Sequence, residues 1–184
     1  MARSRSPIRR FYRTLRTQST FFSGRPSYLL RGHQSHMCFH LYAGTSKPLP
    51  RSKWDMNDPH VNVDDLAESD LWAQSIFSKP EIQYIGSTTS CGCGFPSVMQ
   101  DRAGDWPYWL DPVGDAEEIA SNKQECEEIC QLFSQLDEDE IELYGVWAGN
   151  EGKEPLNREV ITLDDIRREY FRFKEGGFYR VKLH

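Results

Sequence analysis

Residues 116–147 read AEEIASNKQECEEICQLFSQLDEDEIELYGVW, and the change of period inside this stretch decides the fold class. From 116 to 136, Ile119, Cys126, Ile129, Cys130, Phe133 and Leu136 fall on one face at helical spacing. Glu117, Glu118, Glu125, Glu128 and Gln131 take the side expected to face water. Asp137-Glu138-Asp139-Glu140 then reads as a solvated turn. After it, IELYGVW alternates, with Ile141, Leu143, Gly145 and Trp147 on one side of a strand. One amphipathic helix running straight into one strand predicts an α+β chain.

The flanking sequence extends the pattern in both directions. EIQYIG at 81–86 is a strand bounded by Pro80 and Gly86, and CFHLYA at 38–43 is another, closed by Gly44-Thr45-Ser46. Val61-Asn62-Val63 forms a short strand, after which Asp64 or Asp65 is expected to cap a helix carrying Leu66, Leu71, Trp72 and Ile76. On the other side, 149–155 is a turn, and Val160-Ile161 leads through Thr162 into a helix expected over 163–171. FYRVKL at 178–183 closes the chain as a strand behind Gly176-Gly177. The expectation is a single α+β domain over residues 37–184, with a small mixed or antiparallel sheet and about three helices. Nothing after residue 37 has the composition of an interdomain linker.

Size and charge bound what such a domain can do. The chain has 184 residues and a mass of 21.4 kDa, enough for one ordinary domain with some unfolded sequence. Hydrophobic residues at 38% and aromatics at 12% guarantee a core and exclude full disorder. No run reaches the roughly 20 apolar residues of a membrane-spanning helix. The net charge of −6 is unevenly spread: residues 1–36 hold eight Arg and no acid, while 37–184 hold 14 basic and 28 acidic residues.

Residues 1–36 therefore read as a disordered Arg-rich extension. Met37 as the true start, a mitochondrial transit peptide, and a basic tail for nucleic acid or an anionic surface are the competing readings. Nucleic-acid binding is not expected of the whole, because the acidic body repels phosphate and no recognition motif is present.

The chemistry-bearing residues are the cysteines. Five are present, and an odd number without an export signal points to a reducing compartment: the cytoplasm, or the mitochondrion if 1–36 is a transit peptide. Cys126 and Cys130 share the apolar helix face and read as core. Cys91 and Cys93 sit instead in GSTTSCGCGF, residues 86–95, a stretch of small residues that must be a loop. Cys38 and His40, two apart on a strand, project to the same side. If the strands at 38 and 81 are neighbours, Cys38, His40, Cys91 and Cys93 make a Cys₃His zinc site. The other readings are free thiols in a glycine turn, and a catalytic Cys91 or Cys93 thiolate with His40 as its base. Met37-Cys38 also resembles the start of class II glutamine amidotransferases, which implies an N-terminal Cys38 nucleophile. Phe39 departs from that family's small glycine.

A ligand pocket is expected where the 87–97 loop meets the 99–115 loop, with Ser87, Thr88, Cys91, Cys93, Asp105 and Tyr108 as its polar members. The function expected is a small binding or interaction protein with zinc or thiol chemistry, taking a small molecule or a protein as partner. The alternatives are a cysteine-dependent enzyme, and surface binding through residues 1–36.

Overall fold

The apolar stripe at 116–136 needs a surface to cover, and six strands supply it. The computed structural model describes residues 38–98 and 116–184. In chain order the strands are β1 (Phe39–Thr45), β2 (Asn62–Asp65), β3 (Glu81–Gly86), β4 (Ser97–Val98), β5 (Glu140–Trp147), β6 (Asn157–Thr162), β7 (Phe173–Lys174) and β8 (Gly177–Lys182). The helices are α1 (Ala116–Ser134) and α2 (Leu163–Ile166), with 3₁₀ turns at Glu68–Ser75 and Gly92–Gly94. The main sheet has the order β2-β3-β1-β5-β8-β6. Its neighbours are antiparallel except β6, which runs parallel to β8. The sheet is thus mixed and the domain α+β.

Period-two alternation sorts the strand residues onto two faces, and both are buried. On one face α1 lays Cys126, Ile129, Cys130 and Phe133 against Phe39, Leu41, Ala43, Ile85, Ile141, Leu143 and Val181. Burial of Ile129 and Phe133 alone contributes about 1.5–3 kcal/mol each. On the other face Tyr42, Tyr144, Val146 and Phe178 pack under Ala73, Ile76 and Phe77. The 3₁₀ segment over Glu68–Ser75 is what makes a second core.

An aromatic cluster ties the sheet to the segments at its end. Phe173, fully buried, meets Phe171, Phe95, Tyr179 and Phe39 at ring-centroid distances of 4.9, 5.9, 5.9 and 6.4 Å. It sits on β7, which pairs with β4 in a parallel two-residue ladder. The sequence pattern contains no sign of that ladder, since two residues carry no period.

Three local expectations are corrected. Asp64 and Asp65 do not cap a helix: β2 continues through them, pairing with Tyr84 and Gln83. The following helix is 3₁₀ and starts behind Ala67 with no side-chain cap. Glu125 does not face water but is buried at 1% exposure, for a reason given below. The helix after Thr162 ends at Ile166 rather than 171, although its start is as read, with a capping box between Thr162 and Asp165. Beyond it the chain turns so that Phe171 can reach the Phe173 cluster.

The two sheet edges differ. Along β2, Ser52 bridges Val63 through two N–H···O bonds of 3.2 Å, and Arg51 pairs with Asp65 at 2.6 Å. No such bridge is found along the outer side of β6 among the described residues. The readings that fall on residues 1–36 and on 99–115, Asp105 and Tyr108 included, lie outside the described residues. Among the described residues no helix is long and apolar enough to cross a membrane.

Candidate functional site

The turn that follows β3 is closed on itself before anything else holds it. The Ser87 amide and hydroxyl both donate to the Cys91 carbonyl, at 3.2 and 2.5 Å, and the Ser90 amide donates to the Ser87 carbonyl at 3.0 Å. Ser90 takes φ 73°, a left-handed conformation uncommon outside glycine. Gly92 follows because its backbone lies against β1: a Cβ there would strike the Phe39 carbonyl oxygen. Phe95 then plunges into the aromatic cluster, which anchors the far end.

Three further elements grip the same turn. The Glu125 carboxylate, from α1, accepts the Thr88 amide at 3.1 and 3.2 Å and also the Thr88 hydroxyl. Trp54 donates its indole N–H to the Thr88 carbonyl at 2.6 Å. The Tyr84 hydroxyl, from β3, accepts the Gly92 amide at 2.9 Å. These bonds explain why Glu125 is buried on a helix position that its sequence pattern assigns to water. A buried carboxylate is tolerated where its oxygens are hydrogen-bonded.

What the turn presents is a pair of thiols. Cys91 is half-buried and Cys93 exposed, and Cys38 at the start of β1 is half-buried. β1 and β3 are indeed neighbours, so the adjacency the zinc reading needs is met. Cys38, Cys91 and Cys93 all bear on the Tyr84 hydroxyl; burial chiefly, and these thiols in addition, push it up to about 12 against the opposing Gly92 hydrogen bond. His40, however, is engaged elsewhere, with Nδ1 3.3 Å from the Tyr42 hydroxyl and its ring edge-on to Tyr42 and Tyr84. Among the described residues no three His, Cys, Asp or Glu side chains are placed to hold a metal ion. The four residues of the expected zinc site therefore share one neighbourhood without forming a ligand shell.

The surroundings of Cys91 favour its protonated form. Burial raises Cys91, the contacts with the Cys93 side chain add to the rise, and the Cys93 backbone and Thr89 hydroxyl only partly offset it. A nucleophilic cysteine needs the opposite shift and a base at hand. His40 has its hydrogen bond to Tyr42 and none to either sulfur among the described residues. Cys126 and Cys130 are core, as read: burial pushes both thiols up to about 12, and Cys130 donates to the Leu163 carbonyl at 3.5 Å.

Ser87 and Thr88 commit their hydroxyls to the Cys91 carbonyl and to the Glu125 carboxylate. Among the described residues two clefts stand out. One, of about 640 Å³, runs beside β6 and is lined by Val160, Ile161, Tyr170, Phe171 and Arg172 among others. A second, of about 460 Å³, lies between Lys79, Glu138 and His184. Neither includes a cysteine. Sequence reasoning missed Glu125, Tyr84 and Trp54 as supports of the turn; a buried Glu in an acidic helix leaves no periodic signal.

Glu125 makes the grip on the turn depend on pH. Burial raises its pKa above the usual 4.5, against the pull of the Thr88 bonds. Its contribution to stability is thus fully present below 4.5 and is lost as the pH rises through the raised value. Glu125→Gln removes the titration. The difference in unfolding free energy, wild type minus variant, should fall between pH 4 and pH 8 in urea titrations; a difference that is flat or rising would contradict the assignment.

Compared with protein-family models, with curated proteins and with solved structures, the chain matches none.

Proposed function

We propose that the chain is a non-catalytic binding domain whose contact element is the Cys91-Gly92-Cys93 turn. One observation carries this reading: a buried carboxylate from α1 and half-buried side chains from β3 and from the loop at Trp54 converge on the turn, while its two thiols stay at or near the surface. Few surface turns need such support, whereas a binding element that must not rearrange on contact does. The partner favoured by two adjacent sulfurs is soft, either a thiophilic metal ion or another protein's thiol. Zinc would require Cys38 and His40 to close on the pair, with His40 giving up Tyr42. All five cysteines are unpaired, which suits a reducing compartment, and we take the cytoplasm as the site of action.

The enzyme reading gains no support from the raised Cys91 or from His40, which is hydrogen-bonded to Tyr42. Elemental analysis and native mass spectrometry on the full chain, purified without chelator, test the proposal. One soft metal ion per chain, lost in both C91S and C93S while circular dichroism is unchanged, is the expected result. Alternatively, a mixed disulfide that traps a partner through Cys93 and is lost in C93S would support the thiol form. A metal-free chain whose Cys91 or Cys93 alkylates with an apparent pKa well below the ordinary value of about 8.5 would overturn the proposal and restore the enzyme.

A further inference from the structure

The two edges of the sheet pose a question that the thiol turn does not answer. A terminal strand offers a row of backbone N–H and C=O groups, and proteins usually cover or blunt such rows. Here β2 is covered by Ser52 and by the Arg51–Asp65 ion pair. At the other end β6 is six residues long, and nothing described bridges its outer side. Val160, at its middle, is 58% exposed, and Leu156 just before it is 61% exposed. Among the described residues, the cleft lined by Val160, Ile161, Tyr170 and Phe171 leaves that flank open.

We infer that β6 is a self-association edge, and that a second copy of this chain adds its own β6 antiparallel, joining the two sheets into one.

The choice of a second copy follows from register. A two-fold axis perpendicular to the sheet keeps each residue on its face, so residues of equal parity must stand opposite. Two registers centred on a residue then pair five positions of the strand. Centred on Glu159, the edge places Glu159 opposite Glu159 of the partner subunit, two like charges in direct contact, which is destabilising. Centred on Val160, it places Val160 opposite the partner's Val160, Arg158 opposite the partner's Thr162, and Glu159 opposite the partner's Ile161. No like charges meet in that register, and the most exposed apolar residue of the strand lies on the axis, where it is buried. Arg158 is already drawn aside over the Phe178 ring, at 4.5 Å from its centroid, and Glu159 is held by Lys174 at 2.6 Å. Both charges are thus kept clear of the approaching strand. Of the two five-position registers the edge is complementary to itself in one, which a site for an unrelated peptide has no need to be.

Sedimentation equilibrium of the full chain, from about 1 to 100 μM, should show a species of twice the 21.4 kDa chain mass. Val160→Lys sets two ammonium groups across the axis and should raise the dissociation constant about tenfold or more. Its exposure means the monomer should melt as the wild type does at concentrations where the wild type is monomeric too. In a C91S/C93S background, Val160→Cys should link two chains under mild oxidation, because directly opposite Cα atoms lie about 4.5–5.5 Å apart, within disulfide range. Thr162→Cys in the same background should not, since it faces the partner's Arg158. A chain that stays monomeric to 100 μM, a dimer that Val160→Lys leaves intact, or equal cross-linking at both positions would each overturn the inference.

Discussion

Phe173→Ala should cost about 3–5 kcal/mol of stability, a large share of the 5–15 kcal/mol on which a domain of this kind rests. Phe173 is fully buried and is the one ring of its cluster that reaches all the others, Phe171 at 4.9 Å and Phe39 at 6.4 Å being its nearest and farthest partners. Through them it joins β1, β8 and the end of the thiol turn. The ladder it sits on is only two residues long, so little backbone pairing remains to hold Lys174 and Ser97 in place once the ring is gone. The expected readout is a lower urea midpoint with an unchanged slope. Phe173→Leu, which refills most of the volume, should recover more than half of the loss. A Phe173→Ala loss under about 1 kcal/mol would mean that the neighbouring rings close over the gap, and would remove the cluster's claim to anchor the turn.

Gly92→Ala should displace the turn itself. The added methyl would meet the Phe39 carbonyl oxygen, with the Leu41 amide nitrogen 3.4 Å away. Both are backbone atoms of a central strand, paired to β5 through Trp147 and Gly145, and cannot rotate aside as a side chain would. The turn must lift instead, at the expense of the 2.9 Å bond from the Gly92 amide to the Tyr84 hydroxyl. A strain of this sort costs about 1–3 kcal/mol. Its specific signature is at Cys91, which is half-buried and should become as accessible to an alkylating reagent as Cys93. Unchanged melting together with unchanged Cys91 labelling would show that the turn does not lean on β1.

The fold was legible wherever a period had room to repeat. The nineteen residues of α1, the six of β3 and the eight of β5 each carry enough turns or alternations to declare themselves. Asp64-Asp65 misled because an acidic pair before an apolar run is good cap chemistry, yet the backbone there was already committed to β3. The site was half legible. Glycines around two cysteines marked the turn, and the neighbouring strands brought Cys38 close. What could not be read was where His40 would point: its side of β1 is settled by alternation, but its hydrogen bond goes to Tyr42 because the residue two along shares that face. Glu125 was hidden for the opposite reason. Its partner Thr88 is 37 residues away, and only tertiary contact turns a solvent-type residue into a buried clamp.

The strand order also fixes when this protein can exist. β1 lies in the middle of the sheet and pairs on one side with β5, Phe39 against Trp147, about a hundred residues further along. No two strands of the main sheet form a tight hairpin, and β6 and β8 come later still. At a synthesis rate of 5–20 residues per second, β1 waits roughly 5–20 s for β5 to be made. During that wait its Leu41 and Tyr42, both destined for full burial, have only β3 beside them. Folding of the sheet as a unit therefore has to wait for β5 and the strands that follow it, because only they complete the neighbours of its central strand.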